Sequence, residues 1–256
     1  MIGLPLEMFD LAGGLAGIVL IVFLRIAAML AVVPVLGEAW LSIRVRIVLA
    51  LVLTTAVVPA AVHLAEIPDL SPALVLRAIL TESVNGLVMG LWLRLFVHAL
   101  QTAGSIAAQS TSLAQLLGNS AADPMPALGH ILMVAALALL VTTGFHVRIV
   151  AYVLMSFDIL PPLSFPDPAE IAQAGLGQVA SCFSLAFALA APFVILSALY
   201  NLTLGFINKA MPQLMVAFVG APVITLGSVA LLLLTAPVML SVWLGAVQTF
   251  LGQPFR

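Results

Sequence analysis

Ionisable side chains are so few in this sequence that each can be asked what chemistry it would do. Arg25 interrupts the first long apolar run near its middle, and Arg77, Glu82 and Arg94 lie inside the third. A charge left alone in an apolar medium is costly, so such groups find partners. Arg25 with Glu82 is the pairing expected, with Arg77 and Arg94 as competitors for Glu82. The only lysine, Lys209, falls in the stretch Asn201 to Pro222, NLTLGFINKAMPQLMVAFVGAP, among Asn201, Gly205, Asn208, Pro212, Gln213 and Pro222. Backbone groups freed by proline in an apolar medium must be satisfied, which places such a stretch inside an assembly or beside water. A plain loop, with Lys209 among headgroups and Pro212 opening the next helix, accounts for the same residues.

A second constellation carries no charge at all. Between residues 95 and 122 there is no Asp, Glu, Lys or Arg, yet His98, Gln101, Ser105, Gln109, Ser112, Gln115 and Asn119 recur at three- and four-residue steps. That is the helical period, so they form one polar stripe on an otherwise apolar helix. Gly118 to Pro126, with Asp123, Pro124 and Met125, breaks the helix into a loop. Interhelical hydrogen bonding is one use for the stripe, worth about 0.6 kcal/mol per contact. The other is a wettable wall along a conduit, closed at rest by the loop, with Met125 as a deformable seal.

Enzymatic constellations are missing. His63, His98, His130 and His146 are dispersed, without HExxH spacing or cysteine partners. No GxxxxGK[ST] occurs, and Gly175-Leu-Gly177 lacks the third glycine of a dinucleotide site. Ser228 has no candidate base nearby in sequence. Neither an enzyme nor a metal or cofactor site is expected.

The elements that position these groups follow from composition. Of 256 residues, 64% are hydrophobic and 7% charged, against roughly 25% charged in soluble domains. The chain is therefore expected to be an integral membrane protein, or a subunit buried almost entirely among apolar partners, and to be all-α. A net charge of -2 offers no basic face for nucleic acid. Cys182 is alone and cannot form an internal disulfide. Glu7 and Asp10 stand where a signal peptide would be basic, so the N-terminus is expected to be retained. About six long apolar elements are read: residues 11–35, 43–62, 73–100, 127–141 (with a shorter piece at 149–159), 171–200 and 214–250. The first would make a helix of about 37 Å, enough to span with tilt. Pro192 is expected to kink its helix, while Pro222 and Pro237 interrupt the last run. Connections too short for another domain make residues 1–256 a single unit.

Several separated groups of residues resemble one family. Arg25, Pro34, Gly37 and Val45-Arg46; Glu82, Gly86 and Gly90 at four-residue spacing; Gly144, His146, Ser156-Phe157 and Leu160-Pro161; and Asn201, Gly205, Lys209, Pro212-Gln213, Phe218 and Pro222 are together similar to the FliR family of flagellar export-gate proteins and its injectisome counterpart, the SctT family. The two glycines would also let a neighbouring helix backbone approach. Residues 110–119 fit the pattern least. The resemblance implies broken helical hairpins in a hetero-oligomeric export gate, with FliP-like and FliQ-like subunits and an FlhB-like protein. It implies a bacterial inner-membrane, basal-body location and passage of unfolded axial proteins toward the growing flagellum. It also implies a plug-like loop near residues 118–126.

Two readings stay open beside the flagellar one. An injectisome gate subunit fits the same residues, and a secondary transporter for a small solute would suit the discontinuous segments, although no internal repeat is found. Orientation is divided too: loop charges place both termini outside, whereas fusion of the family to FlhB-like proteins implies an inward C-terminus.

Overall fold

Apolar runs and their breakers become seven helices in the computed structural model. It describes residues 4–61, 71–111, 127–211 and 216–254, with side chains over 14–61, 71–110, 128–211 and 223–254. Helix α1 spans Leu4–Leu30, α2 Ile43–Ala61, α3 Pro72–Thr111 and α4 Ala127–Thr142. Then follow α5 at Phe145–Ile159, α6 at Pro168–Ala210 and α7 at Val216–Gly252. No strand occurs among the described residues.

Three of these helices open on side-chain caps. The Ser42 hydroxyl accepts from the Val45 N–H at 3.4 Å, Ser71 from Leu74 at 3.2 Å, and the Asp167 carboxylate from Ala169 at 2.7 Å. Pro72 and Pro168 follow their caps directly, where proline's missing N–H and fixed φ suit a helix start.

Helices α2, α3, α6 and α7 are long and apolar enough to cross a membrane, and α4 with α5 counts as a fifth if the bent pair is one span. The expected six is thus approximately met. The difference arises at Thr143-Gly144, where Gly144 takes a left-handed φ of 76° and the two helices bend by 77°. At 16 and 15 residues, each half is shorter than the roughly 20 residues a span needs.

Three helices run further than their apolar stretches. Helix α3 continues for 40 residues and includes the first part of the polar stripe, His98 to Gln109, since polar side chains at helical period do not interrupt backbone hydrogen bonding. Helix α6 carries Pro192 inside it and passes Asn201, Gly205, Asn208 and Lys209 before ending at Ala210. The expected cluster of breakers therefore does not break the helix before Ala210. The Asn201 amide donates to the Ser197 hydroxyl at 3.3 Å and the Thr203 hydroxyl to the Leu199 carbonyl at 2.9 Å, so both reach back to the preceding turn. Helix α7 runs on through Pro222 and Pro237, which were expected to interrupt it.

Contacts divide the chain into two compact units, one of residues 1–95, 140–178 and 247–256, the other of 96–139 and 179–246. Helices α3, α4, α6 and α7 supply residues to both. In the first, α1 packs on α2 and α2 on α5, around Val22, Ile26, Met29, Met89, Leu93 and Tyr152. In the second, Leu100, Leu132, Ala136, Phe193 and Trp243 are buried, and the Trp243 indole donates to the Phe96 carbonyl at 2.7 Å. Outer faces are apolar as well: Phe187 is 61% exposed and Phe206 66%.

Candidate functional site: a buried ion pair holding a loop

Arg25 and Glu82 meet in the first unit, both with no solvent exposure. The Arg25 Nε donates to Glu82 Oε2 at 2.7 Å. Its other nitrogens do different work: Nη1 donates to the Ser156 hydroxyl at 3.0 Å and Nη2 to the Leu160 carbonyl at 2.9 Å. The guanidinium carbon lies 4.0 Å from the centre of the Phe157 ring, a cation–π contact. The second oxygen of Glu82 accepts the Leu163 N–H at 2.8 Å. A buried ion pair repays its desolvation only when its remaining groups are also satisfied, and here each guanidinium nitrogen and each carboxylate oxygen has a partner.

What those extra bonds hold is irregular backbone. Residues 160–167 lead from α5 to α6 outside any helix. Such backbone, among apolar helices, needs protein partners. Leu163 sits at φ 61°, an uncommon conformation for a residue with a branched side chain. Both its polar groups are tied, the N–H to Glu82 and the carbonyl to Arg77 Nε at 2.7 Å. The Asn85 amide donates to the Ser164 carbonyl at 3.3 Å, while its own oxygen is buried without a donor. The loop itself lines a cavity of about 200 Å³ through Phe165, Pro166 and Asp167, with Trp92 and Glu170 among the other lining residues.

The rival partners for Glu82 are occupied elsewhere. Arg77 serves the loop, and Arg94 pairs with Glu38 at 2.8 Å. Gly86 and Gly90 carry α3 against α1. A Cβ on Gly86 would collide with the Arg25 carbonyl and come within 2.9 Å of Ala28 Cβ; one on Gly90 would lie 2.7 Å from the Met29 carbonyl. Only glycine permits this approach, which brings Glu82 to Arg25.

The remaining candidates do not join this junction. In the second unit, Gln101 donates to the Met133 sulfur at 2.8 Å and pairs with His98 at 2.8 Å, Ser105 is half-buried and Gln109 exposed. Buried beside them are Ala103, Gly104 and Ala107. Gly104 meets the Gly129 backbone so closely that no side chain fits between, a glycine pair that no sequence motif marks. Asn201, Gly205 and Lys209 are exposed on α6, and nothing lies within 4 Å of where a Gly205 side chain would start. Ser112, Gln115, Asp123, Pro124, Met125, Pro212 and Gln213 lie outside the described residues, as does the side chain of Pro222. No group of three metal-binding side chains occurs among the described residues.

Asn85 and the loop carbonyls are functional groups that sequence reasoning missed. Asn85 had one available signal, its position next to Gly86 and one turn from Glu82 on the buried face of α3.

Long apolar helices with exposed apolar exteriors and a buried charge junction define a class, the all-helical multi-pass membrane protein. Residues 16–250 match the family described as bacterial export proteins, family 1, and the chain belongs to that family. It is 30% identical over 226 residues to the flagellar biosynthetic protein FliR of Caulobacter vibrioides, covering 87% of this chain and 90% of that one. FliR of Pectobacterium carotovorum subsp. carotovorum is 30% identical over 217 residues, covering 83% of this chain and 82% of the relative. FliR of Escherichia coli K12 is 26% identical over 222 residues, covering 84% and 83% respectively.

Proposed function

We propose that this chain is a structural, channel-forming subunit of the flagellar type III export gate in the bacterial inner membrane. It acts there without catalysis and helps pass unfolded axial proteins toward the growing flagellum. The observation that carries this reading is likeness to FliR proteins over nearly their whole length. The geometry agrees in one respect: α6 and α7 expose large apolar side chains, and α6 also exposes Asn201 and Lys209, groups that lipid does not satisfy and neighbouring subunits can. The neighbours proposed are FliP-like and FliQ-like subunits and an FlhB-like protein, with residues 1–256 acting as one export-gate subunit. Arg25, Glu82, Gly86 and Gly90 serve as the internal brace that presents those surfaces. Gln101, Ser105 and Gln109 face the conduit together with Ser112 and Gln115, and Asp123, Pro124 and Met125 belong to its closing loop.

Deleting the gene in its host and assaying culture supernatant for flagellar axial proteins tests this. Loss of secretion and motility, restored by the intact gene, is the expected result. Loss of host-directed effector secretion with motility intact would identify an injectisome subunit instead. A defect in solute uptake with secretion unchanged would identify a transporter. For the conduit, a cysteine at Gln109 is expected to crosslink to a stalled substrate and one at the buried Ala107 is not.

A further inference from the structure

We infer that the turn entering α2 is a binding site for the phosphate of an anionic phospholipid headgroup, built from Trp40, Arg44 and Arg46 and braced by the Glu38–Arg94 pair. The inference needs only that the chain lies in a bilayer and is independent of the export role.

The depth of these residues follows from two contacts. Glu38 accepts from Arg94 Nη1 on α3 at 2.8 Å and, through its carbonyl, from Arg46 Nη2 on α2 at 2.6 Å. Arg46 and Arg94 therefore stand at one level. Helix α2, 19 residues from Ile43 to Ala61, is about 28 Å long, and Pro72 to Arg94 is about 33 Å, at the helical rise per residue. Both lengths approximate one hydrocarbon thickness, about 30 Å. Helices α2 and α3 thus cross the apolar layer once, with the arginines at one surface.

Charge and exposure at that level suit a headgroup. Three arginines face one glutamate, a local excess of positive charge. Arg44 is exposed, and Arg46 is half-buried with its Nη2 held by the Glu38 carbonyl. A guanidinium presents its donors as a fork that matches phosphate oxygens. Trp40 is 69% exposed, an unusual position for indole in water and a preferred one at a membrane interface. Below it, Ile43, Val48 and Val52 on α2 are exposed and apolar, continuing the surface into the acyl region. An acidic segment of a partner protein would meet the charge but would leave Trp40 and those aliphatic side chains against polar groups, so the lipid is favoured.

The test uses the full-length chain, with any co-purified partners, in neutral detergent. Phosphatidylglycerol and phosphatidylcholine of the same acyl chains are titrated in and bound lipid is counted by native mass spectrometry. Phosphatidylglycerol is expected to be retained preferentially, and Arg44→Gln to lower its affinity about fivefold, the value of one arginine near an anionic surface. Arg44→Gln with Arg46→Gln is expected to lower it about 25-fold by the same reckoning. Arg44 is exposed, so its variant should keep the parent's helicity and elution volume. Equal retention of both lipids, or unchanged binding in Arg44→Gln, overturns the inference. Displacement of phosphatidylglycerol by millimolar inorganic phosphate would assign the site to a soluble anion and overturn it also. Loss of partner co-purification without any change in lipid binding would assign the turn to a protein interface and likewise overturn it.

Discussion

Glu82 accepts from both Arg25 and the Leu163 N–H, so its replacement has two consequences. Glu82→Gln leaves the Arg25 charge buried and uncompensated, and weakens the anchor of a loop held at positive φ. A loss of about 3–5 kcal/mol is expected, the range for breaking a buried ion pair from one side. It would be read as a lowered midpoint of thermal unfolding in detergent, followed by helicity. Exchanging the pair, Arg25→Glu with Glu82→Arg, keeps the Coulombic attraction but not the hydrogen bonding. Position 25 must donate to Ser156 and Leu160, and position 82 must accept from Leu163. The exchange is therefore expected to recover less than half of the loss. Full recovery would mean that charge alone matters and that the loop bonds are incidental.

At the scale of helices, glycines divide by what faces them. Gly86 packs on the backbone of α1, which cannot give way as a flexible side chain can. Gly86→Ala is expected to cost about 1–3 kcal/mol through overpacking and to loosen the Arg25–Glu82 contact with it. Gly205 faces open space within the chain. Gly205→Ala should leave the isolated chain unharmed or stabilise α6 by up to about 1 kcal/mol. If α6 docks on a partner subunit there, Gly205→Leu should reduce co-purification of that partner while leaving the unfolding midpoint unchanged. Comparing these measurements separates packing inside the chain from packing between chains.

The whole molecule shows the inverse of a soluble protein's surface. Only 17% of the most apolar window of α2 is buried and 22% of that of α7. Lipid satisfies such aliphatic surface, but it does not satisfy Asn201 or Lys209 on the outer side of α6. The chain purified without partners is expected to elute as a polydisperse particle. Co-expression with its export-apparatus partners should give one sharp species of larger size. A solitary chain that is monodisperse and fully helical would count strongly against an obligate subunit.

Much of this was legible before any coordinates. A chain with so few charges has no option but apolar helices, so the class, the approximate number of membrane-capable elements and the need for Arg25 and Glu82 to find partners follow from solvation alone. Helical period likewise placed Gly86 and Gly90 on the face that carries Glu82. What only the tertiary structure decided is where each donor goes. Arg25 was the expected partner of Glu82, but Arg77 and Arg94 competed for it by composition, and the choice depended on which helix faces approach across 57 residues of sequence. The loop acceptors, the carbonyls of Leu160, Leu163 and Ser164, belong to the backbone. Every residue carries such a group, so no side-chain pattern announces it. Proline read as a breaker at positions 222 and 237 failed for a related reason. One missing N–H is a local penalty, and long helices packed on their neighbours absorb it.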